Sequence, residues 1–222
     1  MEIIKDDFFW SYDKDEKSSV FQIFPDVHVD ERGSFSEQWK LDPNNIWIFR
    51  EAWTRQVNIS KSGGGVLRGC HAQSGSFCQA KLVTSIAGRI FDIITDMRPQ
   101  SNTFGKTKVY FLNPNSQNKL FVPRGFLHAF LTGEDQGEYI FQYMCDNVYS
   151  KEHEVKINPN DIVAPAISEY CGKYGVKDWT RGNIQVSEAD ANGKSINDFF
   201  QQVKTIWDEK GILWYDGFCE EK

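Results

Sequence analysis

Two histidines stand in segments suited to presenting a side chain. His71 lies in Gly65-Val-Leu-Arg68-Gly-Cys-His71-Ala-Gln73, and His128 lies in Pro123-Arg-Gly125-Phe-Leu-His128. Imidazole has an ordinary pKa of about 6.5, so either residue suits proton transfer at neutral pH or ligation of a metal. Metal ligation is short of donors. A divalent transition metal takes three or four N, O or S ligands. Gln73 is a poor substitute for imidazole, and no carboxylate occurs between Gln73 and Lys81. The other two histidines, His28 and His153, fall outside both segments and read as surface residues. The expectation is therefore a site without a metal, whose histidines do acid–base work. A blander reading stands beside it for His128, because a Pro-x-Gly-x-x-His turn can be kept for backbone geometry alone.

Short apolar runs separated by turn residues surround these segments. Residues 81–86 reach Ala87-Gly88 and residues 89–96 follow, a pattern that predicts a hairpin of two buried strands. Further strands are expected at 107–112, 119–122, 127–131 and 138–145, each ended by Asn, Pro, Gly or Asp near its boundary. Many short strands with regular turn signals favour an all-β sandwich or barrel. Helical periodicity is weak until 195–207, where Ile196, Phe199, Phe200, Val203, Ile206 and Trp207 recur at three- and four-residue steps behind a Ser-x-x-Asp start. That predicts one C-terminal helix. Residues 167–182, rich in Gly, Tyr and charge, read as a surface insertion in a single domain spanning 1–222.

Composition narrows the classes. With 222 residues, 40% of them hydrophobic, the chain can bury one sizeable core. A net charge of −6 argues against nucleic acid as partner, since phosphate-backbone binders carry a basic stripe. An anionic small molecule is compatible, because local charge can oppose the global sign. No apolar run approaches the roughly 18 residues of a bilayer span, and the acidic start Met1-Glu-Ile-Ile-Lys-Asp-Asp is unlike a signal peptide. Five scattered cysteines without a Cys-x-x-Cys pair read as reduced thiols, so a cytoplasmic protein without membrane contact is expected.

The two histidine segments resemble the two motifs of the cupin superfamily, with the metal-ligand positions altered. More specifically, Asp30-Glu-Arg32-Gly-Ser-Phe35-Ser-Glu37, Gln56-Val-Asn58-Ile-Ser60, the His71 segment, Lys81-Leu-Val, Asp96-Met-Arg-Pro-Gln-Ser-Asn-Thr-Phe104-Gly105 and the His128 segment are similar, in order and spacing, to the dTDP-4-dehydrorhamnose 3,5-epimerase family. The resemblance covers residues 24–198. It implies an all-β, cupin-type jelly-roll barrel with a short C-terminal helical extension. It also implies a cofactor-free homodimer acting on a nucleoside-diphosphate-4-keto-6-deoxysugar in deoxysugar synthesis.

By the same resemblance His71 is the base, Asp190 the carboxylate that orients it, Tyr143 the acid on the opposite face and Lys81 the cation that stabilises the enolate. Arg32, Phe35, Glu37, Gln56, Asn58, Arg68, Gln73, His128, Tyr149 and Glu154 are the implied substrate-binding residues, with Phe35 and Tyr149 at the nucleobase and Asp92 as partner of His128. Arg suits a diphosphate because its planar fork bonds two oxygens at once. The chain departs from the family at Ala72, Ala129 and the stretch Asn158-Pro-Asn-Asp161-Ile-Val-Ala-Pro. Two other readings therefore stay open: an epimerase acting at C3 or C5 alone, and a sugar-nucleotide-binding cupin without turnover.

Overall fold

In the computed structural model, residues 1–6, 19–38, 54–133, 137–174 and 184–215 are described. The strands along them are β1 (Glu2–Lys5), β2 (Phe21–Phe24), β3 (His28–Asp30), β4 (Gly33–Phe35), β5 (Gln56–Ser62), β6 (Val66–Gln73) and β7 (Lys81–Ala87). There follow β8 (Ile90–Asp96), β9 (Thr107–Leu112), β10 (Lys119–Val122), β11 (Phe126–Thr132), β12 (Tyr139–Cys145), β13 (Glu154–Lys156) and β14 (Gln185–Val186). The helices are α1 (Val163–Tyr174), α2 (Glu188–Ala191) and α3 (Ile196–Lys210).

Two sheets face each other. The first has the order β1-β2-β10-β7-β12-β5; the second has the order β13-β6-β11-β8-β9, with β14 added in parallel on β6. A separate hairpin pairs β3 with β4. Alternation along the strands, where successive side chains point to opposite faces, sorts the apolar residues into layers. Val83, Ile94, Tyr110, Leu120, Phe126, Phe130 and Phe141 fill the space between the sheets. Leu67, Cys70, Ile93, Leu127 and Leu131 point to the other side of the second sheet and pack beneath Ile167, Ile196, Phe199 and Val203 of α1 and α3.

The expected strands at 107–112 and 119–122 match β9 and β10, and the C-terminal helix extends beyond 207 to Lys210. Its N-terminus is capped by Ser195, and Gly211 ends it in the left-handed conformation at φ 62°. Two expectations are corrected. Residues 81–86 and 89–96 form no hairpin: β7 pairs with β10 and β12, whereas β8 pairs with β11 and β9. Ala87-Gly88 instead carries the chain from one sheet to the other. Gly88 has φ 74°, and a Cβ there would lie 2.3 Å from the Tyr139 ring, so this corner requires glycine. The segment 167–182 is likewise no simple surface insertion. Its first part continues α1, with Ile167 buried in the core and Tyr170 edge-on to Phe91 at 5.5 Å. Pro165 in the first turn and Gly172 near the end obscured that period, although proline is tolerated in a first turn. The remainder, 175–182, lies outside the described residues.

Candidate active site

One end of the space between the sheets stays open as a cavity of about 750 Å³. The second sheet contributes Arg68 and His71 from β6, His128 from β11 and Glu154 from β13. The first sheet contributes Lys81 from β7 and Tyr143 from β12. Asp190 enters from α2. Phe130 and Phe141, 4.4 Å apart, line its apolar part and also belong to the core between the sheets. Sequence reasoning missed both as lining residues, because an aromatic on a strand reads as core.

His71 Nε2 bonds Asp190 Oδ1 at 2.6 Å. Asp190 is placed by its own helix: the Ser187 hydroxyl caps α2 by accepting from the Asp190 amide, which leaves the carboxylate free to turn toward β6. Ser-x-x-Asp is thus both a cap and the carrier of the carboxylate. Asp190 is 5% exposed, and burial alone would raise its carboxyl. The bond and charge of His71, with the contacts to Gly69 and Ser187, outweigh that and hold the carboxyl below its ordinary range. Gly69 also lets β6 and β11 approach: a Cβ there would lie 2.6 Å from the His128 carbonyl oxygen.

Across the cavity, burial raises the Tyr143 hydroxyl above its ordinary value, so it keeps its proton through neutral pH. Tyr143 and Lys81 have no hydrogen-bond or ion-pair partner among the described residues. Among the described residues, four cations line the cavity (Lys61, Arg68, Lys81, Lys156) against two carboxylates (Glu154, Asp190), a positive balance within an acidic chain. Lys61 is paired with Glu138 and Lys156 with Glu154. Among the described residues, Arg68 meets only neutral oxygens, those of Ser62 and the Lys61 carbonyl. Cysteine chemistry has no support here, because burial pushes the Cys70 and Cys78 thiols up to about 12.

His128 makes the same bond as His71. Its Nε2 lies 2.6 Å from Asp92 Oδ1, and the two histidines are directly opposite in the β6–β11 ladder. Asp92 is fully buried, and its Oδ2 lacks a partner among the described residues. Among the described residues, no group of three or more His, Cys, Asp or Glu is placed to hold a metal ion.

Beside the cavity, Gln56, Asn58, Gln73, Tyr149 and Glu154 form a linked polar patch. Gln56 donates to Asn58 and accepts from the Tyr149 amide, Gln73 accepts from the Ser150 amide, and the Tyr149 hydroxyl donates to Glu154 at 3.0 Å. Arg32 and Phe35 lie apart from all of these. They sit on the exposed β3–β4 hairpin, where Arg32 grips Asp30 and Phe35 stacks on His28 at 6.5 Å; Glu37 follows just beyond. The chain does not bring these three to its own cavity.

The family model described as dTDP-4-dehydrorhamnose 3,5-epimerase matches residues 16–198. The chain belongs to the dTDP-4-dehydrorhamnose 3,5-epimerase family. It is 35% identical over 190 residues to the Shigella flexneri enzyme of that name, covering 83% of this chain and 95% of the relative. A crystal structure of the Elizabethkingia anophelis enzyme shares 37% identity at a TM-score of 0.65, covering 81% of this chain and 92% of that one. The Legionella pneumophila dTDP-6-deoxy-D-glucose-3,5-epimerase, solved with dTDP-4-keto-L-rhamnose, shares 28% identity at a TM-score of 0.67, covering 88% and 94%. The protein is thus an epimerase on the jelly-roll fold that the resemblance implied. Two of its departures from the 3,5-epimerase family pattern, Ala72 and Ala129, are buried in the core beneath the helices rather than facing the cavity.

Proposed function

We propose that the protein inverts C3 and C5 of a dTDP-linked 4-keto-6-deoxyhexose in deoxysugar synthesis, without a cofactor, in the cytoplasm. The observation that carries this reading is the opposition of the His71–Asp190 pair on one sheet to the Tyr143 hydroxyl on the other, across one cavity. A C–H bond beside the C4 ketone is acidified. His71, oriented by Asp190, removes that proton to give an enolate, and the Lys81 ammonium offsets the charge growing on O4. Tyr143, kept protonated by its burial, returns a proton from the opposite face. Repetition at the second carbon completes the double inversion. Arg68, which has no carboxylate partner among the described residues, is suited to the diphosphate.

The same reading makes the enzyme a single-domain homodimer. Arg32, Phe35 and Glu37 lie away from their own cavity, so they serve the partner's site. Exposed Val29 and Phe35 on the hairpin and Val57 and Ile59 on edge strand β5 supply apolar surface for pairing. Turnover in heavy water tests the reaction. With dTDP-4-keto-6-deoxyglucose and excess chelator, the enzyme is expected to place deuterium at both C3 and C5. Label at one carbon would make it a single-site epimerase; label at neither, with the sugar nucleotide bound, would make it a binding protein.

A further inference from the structure

Lys156 was not among the residues that the sequence singled out, yet it stands beside the proposed base. On β13 it is the ladder partner of His71, as His128 is on β11, so Lys156, His71 and His128 form one row across three strands. Directly opposed residues on adjacent antiparallel strands present their side chains on the same face, about 5 Å apart. Lys156 and Glu154, two residues apart, both line the cavity, whereas Val155 between them packs into the core under the helices.

The two side chains are joined. Glu154 Oε2 receives the Tyr149 hydroxyl at 3.0 Å and lies 3.3 Å from the Lys156 ammonium. Glu154 Oε1 has no partner among the described residues, and an ammonium carries three donors. The pair therefore offers the cavity a spare acceptor beside spare donors, with its charge largely balanced. A further phosphate or a carboxylate on the sugar would meet the Glu154 charge, and an apolar carbon would desolvate the pair without compensation. A hydroxyl, donor and acceptor at once, matches it.

Position along the strand says which hydroxyl. Arg68 lies three residues from His71 on β6 but opposes Phe130, two residues from His128 on β11, so it sits about 7 Å along the sheet, and a diphosphate at Arg68 leaves Lys156 level with the reacting sugar. The ring hydroxyl next to the C3 centre, and not on a reacting carbon, is that of C2. We propose that Lys156, held by Glu154, is a specificity-determining residue that selects substrates bearing a free C2 hydroxyl. This rests on the epimerase reading above.

The test compares dTDP-4-keto-6-deoxyglucose with its 2-deoxy counterpart, following deuterium incorporation. Wild-type enzyme is expected to favour the 2-hydroxy sugar by about 10- to 100-fold in kcat/KM, the range of one hydrogen bond to a charged group. Lys156→Met should lose about that factor on the 2-hydroxy sugar and little on the 2-deoxy sugar, and Lys156→Arg, which keeps the donors, should retain the preference. Equal loss on both sugars would make Lys156 merely structural, and a wild-type enzyme indifferent to the C2 hydroxyl would overturn the proposal without any variant. If wild-type enzyme turns over neither sugar, the epimerase reading fails and this inference falls with it.

Discussion

The molecule contains one chemical pair twice, in two different surroundings. His71–Asp190 and His128–Asp92 are both imidazole–carboxylate contacts of 2.6 Å, and their histidines face each other in one ladder. The His71 side chain is 32% exposed, whereas that of His128 is 9% exposed and that of Asp92 fully buried. The carboxylates also arrive differently. Asp92 comes from β8, which pairs with β11 inside the same sheet; Asp190 is carried in on α2, 119 residues from its histidine. The same bond can orient a reachable base in one place and stitch two strands together in another. What separates the two pairs is exposure to solvent and the cost of leaving a carboxylate alone.

Replacing each histidine breaks the comparison most directly. His71→Ala should lower turnover by about 10³-fold or more, the scale of a lost general base, with a smaller loss of stability than at His128, because the part-exposed His71 side chain leaves water a path to Asp190 once it is removed. His128→Ala, at a residue that also lines the cavity, should act chiefly on stability. It strands a fully buried carboxylate whose second oxygen has no partner among the described residues, a loss of about 3–5 kcal/mol by chemical denaturation. Equal stability losses in the two variants would erase the distinction.

A smaller effect sharpens the His71 side. Asp190→Asn keeps the shape but weakens orientation and charge, so turnover should fall by about 10²-fold. Asp190 has a folded-state pKa below its ordinary 3.8. Its stabilising contribution is therefore present above that value and lost as pH falls through the lower folded value. The wild-type advantage in Tm over Asp190→Asn should be clear at pH 6 and shrink below about pH 4. An advantage that grew on acidification would reverse the assignment.

Much of this was legible in the sequence, for identifiable reasons. Alternation and turn residues located β9 and β10, and the 3–4 period located α3, because those signals are local. The Ala87-Gly88 corner was misread because a glycine at positive φ serves a hairpin turn and a sheet-to-sheet crossing equally well. The α1 helix was missed because Pro165 and Gly172 interrupt its composition while leaving its buried face intact. In the site, motif positions pointed to His71, Lys81 and Tyr143, and the cavity brings them together. Lys156 escaped notice because a lysine gains meaning only from the β13–β6 register, which no local pattern carries. Arg32 and Phe35 fall on the β3–β4 hairpin, apart from the cavity of their own chain.

The central claim, that base and acid work from opposite sheets, is tested most directly by Tyr143→Phe in heavy water. With the base intact and the opposite-face acid gone, His71 can still remove a proton and return a deuteron to the same face. Deuterium is expected to enter the sugar still at a rate near wild type while inversion falls by about 10²-fold. Parallel loss of exchange and inversion would contradict it and make Tyr143 a binding or packing residue.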